Sequence, residues 1–464
     1  MCAKVHPLPV SDRASGCHPP ETPENLYSMF RPILFLMRIG GLFFLQSPPT
    51  QAATNSRHIP QSTVPDVEQG KTECKNHATN NKDCYEFRSK MYCCAVFLLV
   101  WVFAGKFLYS FQFGVKDLSF TTANLGNIVM HSSYALWVIQ VMGSHFLILQ
   151  ASWSRGQMMR LFEAWDRFHF VCPFDDPQCD ESSAKIFRKT RNVLCTIALV
   201  HLIIQISSMV LSLTVPIKEY SELKYFAFEG YPMDNVPVMI ISFVGGVFTS
   251  FIFILPSYFL LIMALAFTLD FRHLHTDLER SVNDSGALTV KSLEWFRKRH
   301  SGLCEIVDAA DDMICVWISW IIGNCTMMVL VLVFAVYQTF DKLKILTELE
   351  LIYWLLSCFI QVAMILYAGI SLTREAHAPL TALHRLDQTD FTPPLTSQLQ
   401  TFLNKLTSDQ IGFTAWKMFT INNETFLALL GMYCTYQLLL FQLQFDLDPG
   451  DPSKTPSPAN NTHT

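Results

Sequence analysis

The chain has 464 residues, half of them hydrophobic and only 16% charged, and its mean hydropathy is +0.26. Soluble domains carry about a quarter charged residues, so an ordinary soluble protein is excluded, and a net charge of −5 argues against a nucleic-acid or other polyanionic partner. Fourteen cysteines are scattered, several inside apolar runs (Cys93, Cys94, Cys195, Cys315, Cys325, Cys358, Cys434), with no CxxC pair at zinc spacing and with six residues between Cys172 and Cys179. They read as reduced thiols, and neither a metal nor a cofactor is expected.

In chain order, residues 1–28 are polar and Pro-rich and lack the apolar core of a secretory signal, so the spans themselves are expected to direct insertion. The segment 29–45 is apolar but holds Arg31 and Arg38. Each arginine would cost about 2.5–3.5 kcal/mol at the centre of a spanning helix. An amphipathic helix on the membrane surface or against the bundle is therefore predicted, with a spanning helix as the alternative. Residues 46–85 read as a flexible linker, completing an N-terminal region over 1–90. Seven apolar runs follow, near 91–112, 127–149, 193–215, 236–268, 313–337, 349–372 and 425–445. Each is about long enough for the ~20 residues a bilayer requires. The fold class predicted is an all-α membrane protein with seven transmembrane helices over 91–445 and a tail over 446–464. Pro256 in the long fourth run predicts tilt, a kink or extension past the membrane.

Lys and Arg alternate between the connections. The region before the first span (Lys82, Arg88, Lys90), residues 150–192, the connection with Arg272 to Arg299, and residues 373–424 are rich, and the others are poor. This predicts a cytoplasmic N-terminus and an extracellular C-terminus, the reverse of a G-protein-coupled receptor. The predicted outer loops and the tail contain no cysteine, and the tail offers Asn460 in an N-glycosylation triplet.

No enzyme constellation appears. Asp166-Arg167-Phe168 resembles the Asp-Arg-Tyr of G-protein-coupled receptors but stands after the second span, and reads as a solvated patch. His273, His275, His300, His377 and His384 read as interface-facing polar residues, and Glu305, Asp308 and Asp312 share one face of a helix leading into the fifth span. The last span is more informative. At about 100° per residue, Thr435, Leu438, Leu439 and Gln442 share a face, with Tyr436, Leu440 and Leu443 beside it. Such a face suits a narrow pore, with leucines closing it and an amide replacing ion hydration. Interhelical hydrogen bonding recruits the same residue types, and spacing alone leaves both open.

Thr435-Tyr436, five residues and Gln442 resemble the Thr-Tyr-(five apolar)-Gln-Phe motif of arthropod gustatory receptors, which are related to insect odorant receptors. Similar too are the lead-in Ile411–Phe419, the stretch Phe30–Phe44, the seven spans and the inverted topology. Leu443 stands where the motif has Phe, Gln437 occupies a usually apolar position, and the 46–85 linker is long. The resemblance implies a tetrameric ligand-gated cation channel, homomeric or heteromeric, in the plasma membrane of chemosensory neurons. Leu439, Gln442 and Leu443 would then line or gate the pore, and 270–312 with 373–424, notably 395–420, would build a cytoplasmic anchor. The ligand, a small-molecule tastant, would enter among spans two to six near His131, Tyr134, Trp137, Tyr353, Trp354, Ser357 and Gln361. Helix packing and an interfacial aromatic belt are the plainer reading of those side chains. The rival functions are a G-protein-coupled receptor and a non-conducting auxiliary subunit of the same family. A transporter would need broken helices in matching halves, which the sequence lacks.

Overall fold

The fourth apolar run becomes the axis of the structure. The computed structural model describes residues 26–43, 86–106, 108, 125–153, 157–171, 177–214, 236–285, 289–339, 345–386 and 391–447. The linker, the tail with Asn460 and most of the short connections lie outside them. Helices α1 (Leu26–Ile39), α2 (Glu86–Lys106), α3 (Leu125–Trp153), α4 (Gln157–Val171), α5 (Pro177–Thr214), α6 (Val236–Ser285), α7 (Val290–Thr339), α8 (Ile345–His377), α9 (Pro379–His384), α10 (Pro393–Ser408) and α11 (Asn423–Leu447) follow in order. A two-stranded hairpin, β1 (Thr414–Ala415) with β2 (Phe419–Thr420), precedes α11. Seven helices, α2, α3, α5, α6, α7, α8 and α11, are long and apolar enough to cross a membrane. The predicted fold class and number of spans match this architecture.

Helix α6 is apolar on every face, and 83% of its apolar stretch is buried, as expected of a helix surrounded by others. It runs through Pro256 as one helix of 50 residues. At 1.5 Å per residue α6 and α7 are each about 75 Å long, against about 30 Å of hydrocarbon, so both extend well beyond a bilayer. Their extensions meet the end of α8, where Arg272 pairs with Glu375 at 3.0 Å.

The early basic segment resolves in favour of packing on the bundle. The α1 residues Phe30, Ile33, Leu34 and Met37 are buried. The ring of Phe30 lies 5.1 Å from Phe162, 6.0 Å from Trp165, 5.8 Å from Phe187 and 6.2 Å from Phe259, so α1 is held by α4, α5 and α6 together. Trp165 stacks on Phe267 at 4.2 Å and donates its indole N–H to Asp270 at 2.9 Å. The adjoining Asp166-Arg167-Phe168 is therefore part of a packed helix, where exposed Arg167 Nε donates to Glu163 O one turn back.

Helices α3 and α7 approach closely at Gly143, where an added Cβ would overlap the indole of Trp320. That indole also donates to Gln140 O at 3.2 Å. Gly143→Ala should therefore destabilise the fold by about 1–3 kcal/mol, read as a lower melting temperature in detergent. An unchanged melting temperature would show that Trp320 has another rotamer free to it.

At the far end of α6–α8, α7 starts with a reciprocal cap in which Ser292 N–H donates to Thr289 Oγ1 and Thr289 N–H to Ser292 Oγ. The face Leu395, Leu399, Phe402 and Leu406 of α10 is buried against this segment. His300 corrects the reading of an interface-facing residue. It is buried between Phe271 and Phe402, with Nε2 2.9 Å from Ala376 O, and so joins α7 to α8. In the lead-in to the last helix, residues 411–421 form the hairpin, with Ile421 N–H donating to Phe413 O at 2.8 Å. Its turn places Trp416 and Lys417 at φ of 50° and 57°, left-handed backbone that non-glycine residues seldom adopt.

Candidate functional site

A carboxylate from α7 holds that hairpin. Asp311 is buried, while Glu305, Asp308 and Asp312 are exposed along the neighbouring face, which their spacing lets them share. The Asp311 carboxylate accepts from Thr414 N–H at 2.7 Å and Thr414 Oγ1 at 2.6 Å, and pairs with Lys417 Nζ at 2.6 Å. Asp312 takes the same ammonium at 2.8 Å. Burial disfavours the Lys417 charge, yet the two carboxylates bonded to it hold its pKa above the usual lysine value. Trp416 N–H donates to Cys315 O at 3.1 Å. The next turn caps α11, since Thr425 N–H donates to Asn422 Oδ1 at 3.0 Å and Thr425 Oγ1 to Thr420 O at 2.7 Å. The last span is thus fixed at its base to the fifth.

Above that base α11 stands apart, with only 6% of its apolar stretch buried. Thr435, Tyr436, Leu438, Leu439 and Gln442 are exposed; the side chain of Leu443 lies outside the described residues. Thr435 Oγ1 donates back to Gly431 O at 2.9 Å. Phe359 meets Tyr433 and Tyr337 meets Phe441, seating the inner face of α11 on α8 and α7. Between them Gln437 is 8% exposed, and neither atom of its amide has a hydrogen-bond partner among the described residues.

The second constellation lies among α3, α5, α6 and α8. The rings of Tyr134 and Trp137, one turn apart on α3, meet Trp354 of α8 at 4.6 and 5.6 Å. Ser357, a turn beyond Trp354, lies 2.9 Å from His201 Nε2 of α5. Tyr258 OH approaches His201 Nδ1 at 3.5 Å, and the ring of Tyr353 stands edge-on to His201 at 6.2 Å. Trp137, Trp354, Ser357, Gln205 and Phe253 surround a cavity of about 10 Å³, the space of one water at most, so the site is closed. Gln361 sits apart from these rings. It accepts from Gln140 Nε2 at 3.2 Å, beside Asn324 and Cys325, in a polar knot between α3, α7 and α8. The side chain of His131 lies outside the described residues.

Sequence reasoning overlooked His201, Gln205 and Ser208, although their spacing of four and three residues marks one face of α5, and it overlooked Glu350 on α8. Ser208 Oγ donates to Glu350 Oε1 at 3.3 Å. A larger cavity of about 730 Å³ runs along α2, α3 and α7 past Trp101, Phe146, Trp320 and Trp416, but its lining is almost wholly apolar. Among the described residues no three His, Cys, Asp or Glu side chains converge as a metal site.

Residues 74–448 match the 7tm chemosensory receptor family. The chain is similar in structure to the insect olfactory receptor OR5 from Machilis hrabei, with a TM-score of 0.64 at 13% identity over 90% of this chain and 98% of that one. The same receptor in complex with eugenol gives 0.65 at 12% identity, with the same coverage. No curated protein sequence matches the chain.

Proposed function

Because the chain belongs to the 7tm chemosensory receptor family, we propose that it is a gustatory-receptor-like chemoreceptor, a ligand-gated cation channel opened by a small extracellular molecule. The observation that carries this reading is the isolation of α11. Its Gln442 is exposed and has no hydrogen bond among the described residues. An amide left unpaired in hydrocarbon costs roughly 2–7 kcal/mol. Four copies, of one chain or of related receptors, would turn the face of Thr435, Leu439, Gln442 and Leu443 toward a shared aqueous axis. There the leucines close the path by dewetting, and the amide substitutes for part of an ion's hydration.

The bonds from Asp311 to the hairpin, and from the hairpin to the cap of α11, give each pore helix a fixed foot. Movement is then concentrated in its upper part. The charge alternation of the connections supports a cytoplasmic N-terminus and anchor, with the tail and the mouth of the α3–α5–α6–α8 pocket outside. The seven spans and the family support a place in the plasma membrane of chemosensory cells. Eugenol bound to OR5 supports a small organic molecule as the class of ligand. Because the pocket is closed, a ligand that fits only a widened arrangement shifts the equilibrium toward that arrangement.

Gln442→Ala tests the pore assignment in cells expressing the receptor. The expected result is an altered single-channel conductance or ion selectivity, with the amount at the cell surface unchanged. Currents identical to wild type would remove Gln442 from the conduction path.

A further inference from the structure

We propose that the ligand held in this pocket is an organic ammonium ion, bound by the Glu350 carboxylate and the ring faces of Tyr134, Trp137 and Trp354. The assignment rests on the pocket reading above and names its substrate class.

On α8, Glu350, Trp354, Ser357 and Gln361 follow at intervals of four, three and four residues and so line one face. On α5, His201, Gln205 and Ser208 do the same. The two polar faces meet as a ladder, with Ser208 on Glu350 at 3.3 Å and His201 on Ser357 at 2.9 Å. Glu350 is the acidic rung. It lies in a helix apolar enough to span the bilayer and is half-buried there. Among the described residues its hydrogen-bond partner is the Ser208 hydroxyl, and no basic side chain is paired with it. A half-buried carboxylate at the start of the span, without a cationic partner among the described residues, is stabilised by a cation brought to it.

The surroundings suit that cation. Glu350 lies within electrostatic reach of the Tyr134 hydroxyl. Tyr134 packs on Trp354, which packs on Trp137, so a chain of three electron-rich rings leads from the neighbourhood of the carboxylate to the cavity. Ammonium groups bind such faces through the ring quadrupole, and more strongly where water is excluded. An anionic ligand finds no lysine or arginine among the described lining. A sugar would need many free donors and acceptors; His201 and Ser357 are already paired with each other and Gln140 with the Gln361 carbonyl, leaving Tyr353 OH, Trp354 Nε1 and Gln361 Nε2 as buried groups without a partner among the described residues, few for a polyol.

The test uses full-length receptor and two probes of one shape: trimethyl(2-phenylethyl)ammonium and its neutral carbon isostere, (3,3-dimethylbutyl)benzene. Ligand-dependent thermal stabilisation in detergent reports binding, and whole-cell current reports gating. The cation should stabilise wild type at a concentration at least about tenfold below that of the isostere. Glu350→Gln should abolish that preference, and Glu350→Asp, which keeps the charge, should retain it. Equal binding of the two probes, no binding of the cation, or a preference that survives in Glu350→Gln would overturn the proposal. Binding with the expected charge preference but without current would uphold it and count against the channel reading. Binding of the isostere alone, lost in Trp354→Leu, would keep the pocket and overturn the ammonium.

Discussion

Asp311→Ala should be the most damaging single substitution at the base of the last span. The carboxylate is buried and takes three bonds, from Thr414 N–H, Thr414 Oγ1 and Lys417 Nζ. Alanine leaves the Thr414 donors without their acceptor and deprives the left-handed turn at Trp416–Lys417 of the ion pair that holds it. Breaking a buried pair costs about 3–5 kcal/mol. Lys417 is half-exposed and keeps Asp312, so the expectation here is about 2–4 kcal/mol. Loss of most receptor from the cell surface and a melting temperature lowered by several degrees are the expected results. Lys417→Met should be milder, because Asp311 keeps both Thr414 bonds and the lost ammonium was partly hydrated. If Asp311→Ala melts as wild type does, the hairpin is held by Trp416 on Cys315 and by strand pairing alone.

The spans were legible because each is a long apolar run, and the described helices cover all seven. What extended beyond them was less legible. The length of the fourth run and the shared face of Glu305, Asp308 and Asp312 pointed to helix past the membrane, but not to residues 270–285 and 290–312 continuing α6 and α7 as single helices of 50 residues each, which they do because their apolar faces meet one another, α8 and α10. The hairpin escaped for a different reason. Tight reversals of this kind are usually signalled by Asn-Gly or Asp-Gly, whereas the Trp416-Lys417 turn is held by groups distant in sequence, Asp311 on the lysine and Cys315 O on the Trp416 N–H. His300 was assigned to a surface on polarity alone, but Ala376 O satisfies its ring nitrogen within an aromatic cage. In the candidate pocket the aromatic members Tyr134, Trp137 and Trp354 stood out as large residues on predicted spans. Their partners on α5 did not, because His201, Gln205 and Ser208 acquire meaning only when set against Glu350 and Ser357 on another helix.

Gln437 departs from the motif at a position usually apolar, and the structure gives that departure a physical consequence. Its amide is buried between the Phe359–Tyr433 and Tyr337–Phe441 contacts, with both polar atoms unpaired among the described residues. A buried polar group in that condition costs about 1–3 kcal/mol, and the penalty is borne by the closed arrangement. Any movement of α11 that brings the amide to water removes it, so Gln437 should bias the receptor toward opening. Gln437→Leu keeps the volume and removes the penalty. The expected result is a closed state favoured about five- to a hundredfold over wild type, seen as a higher half-maximal ligand concentration and a lower spontaneous current. Surface amount should stay the same or rise, which separates this effect from misfolding. An unchanged dose–response with raised thermal stability would mean that the amide is equally dry in both arrangements, and that α11 opens by tilting about its fixed foot rather than by turning on its axis.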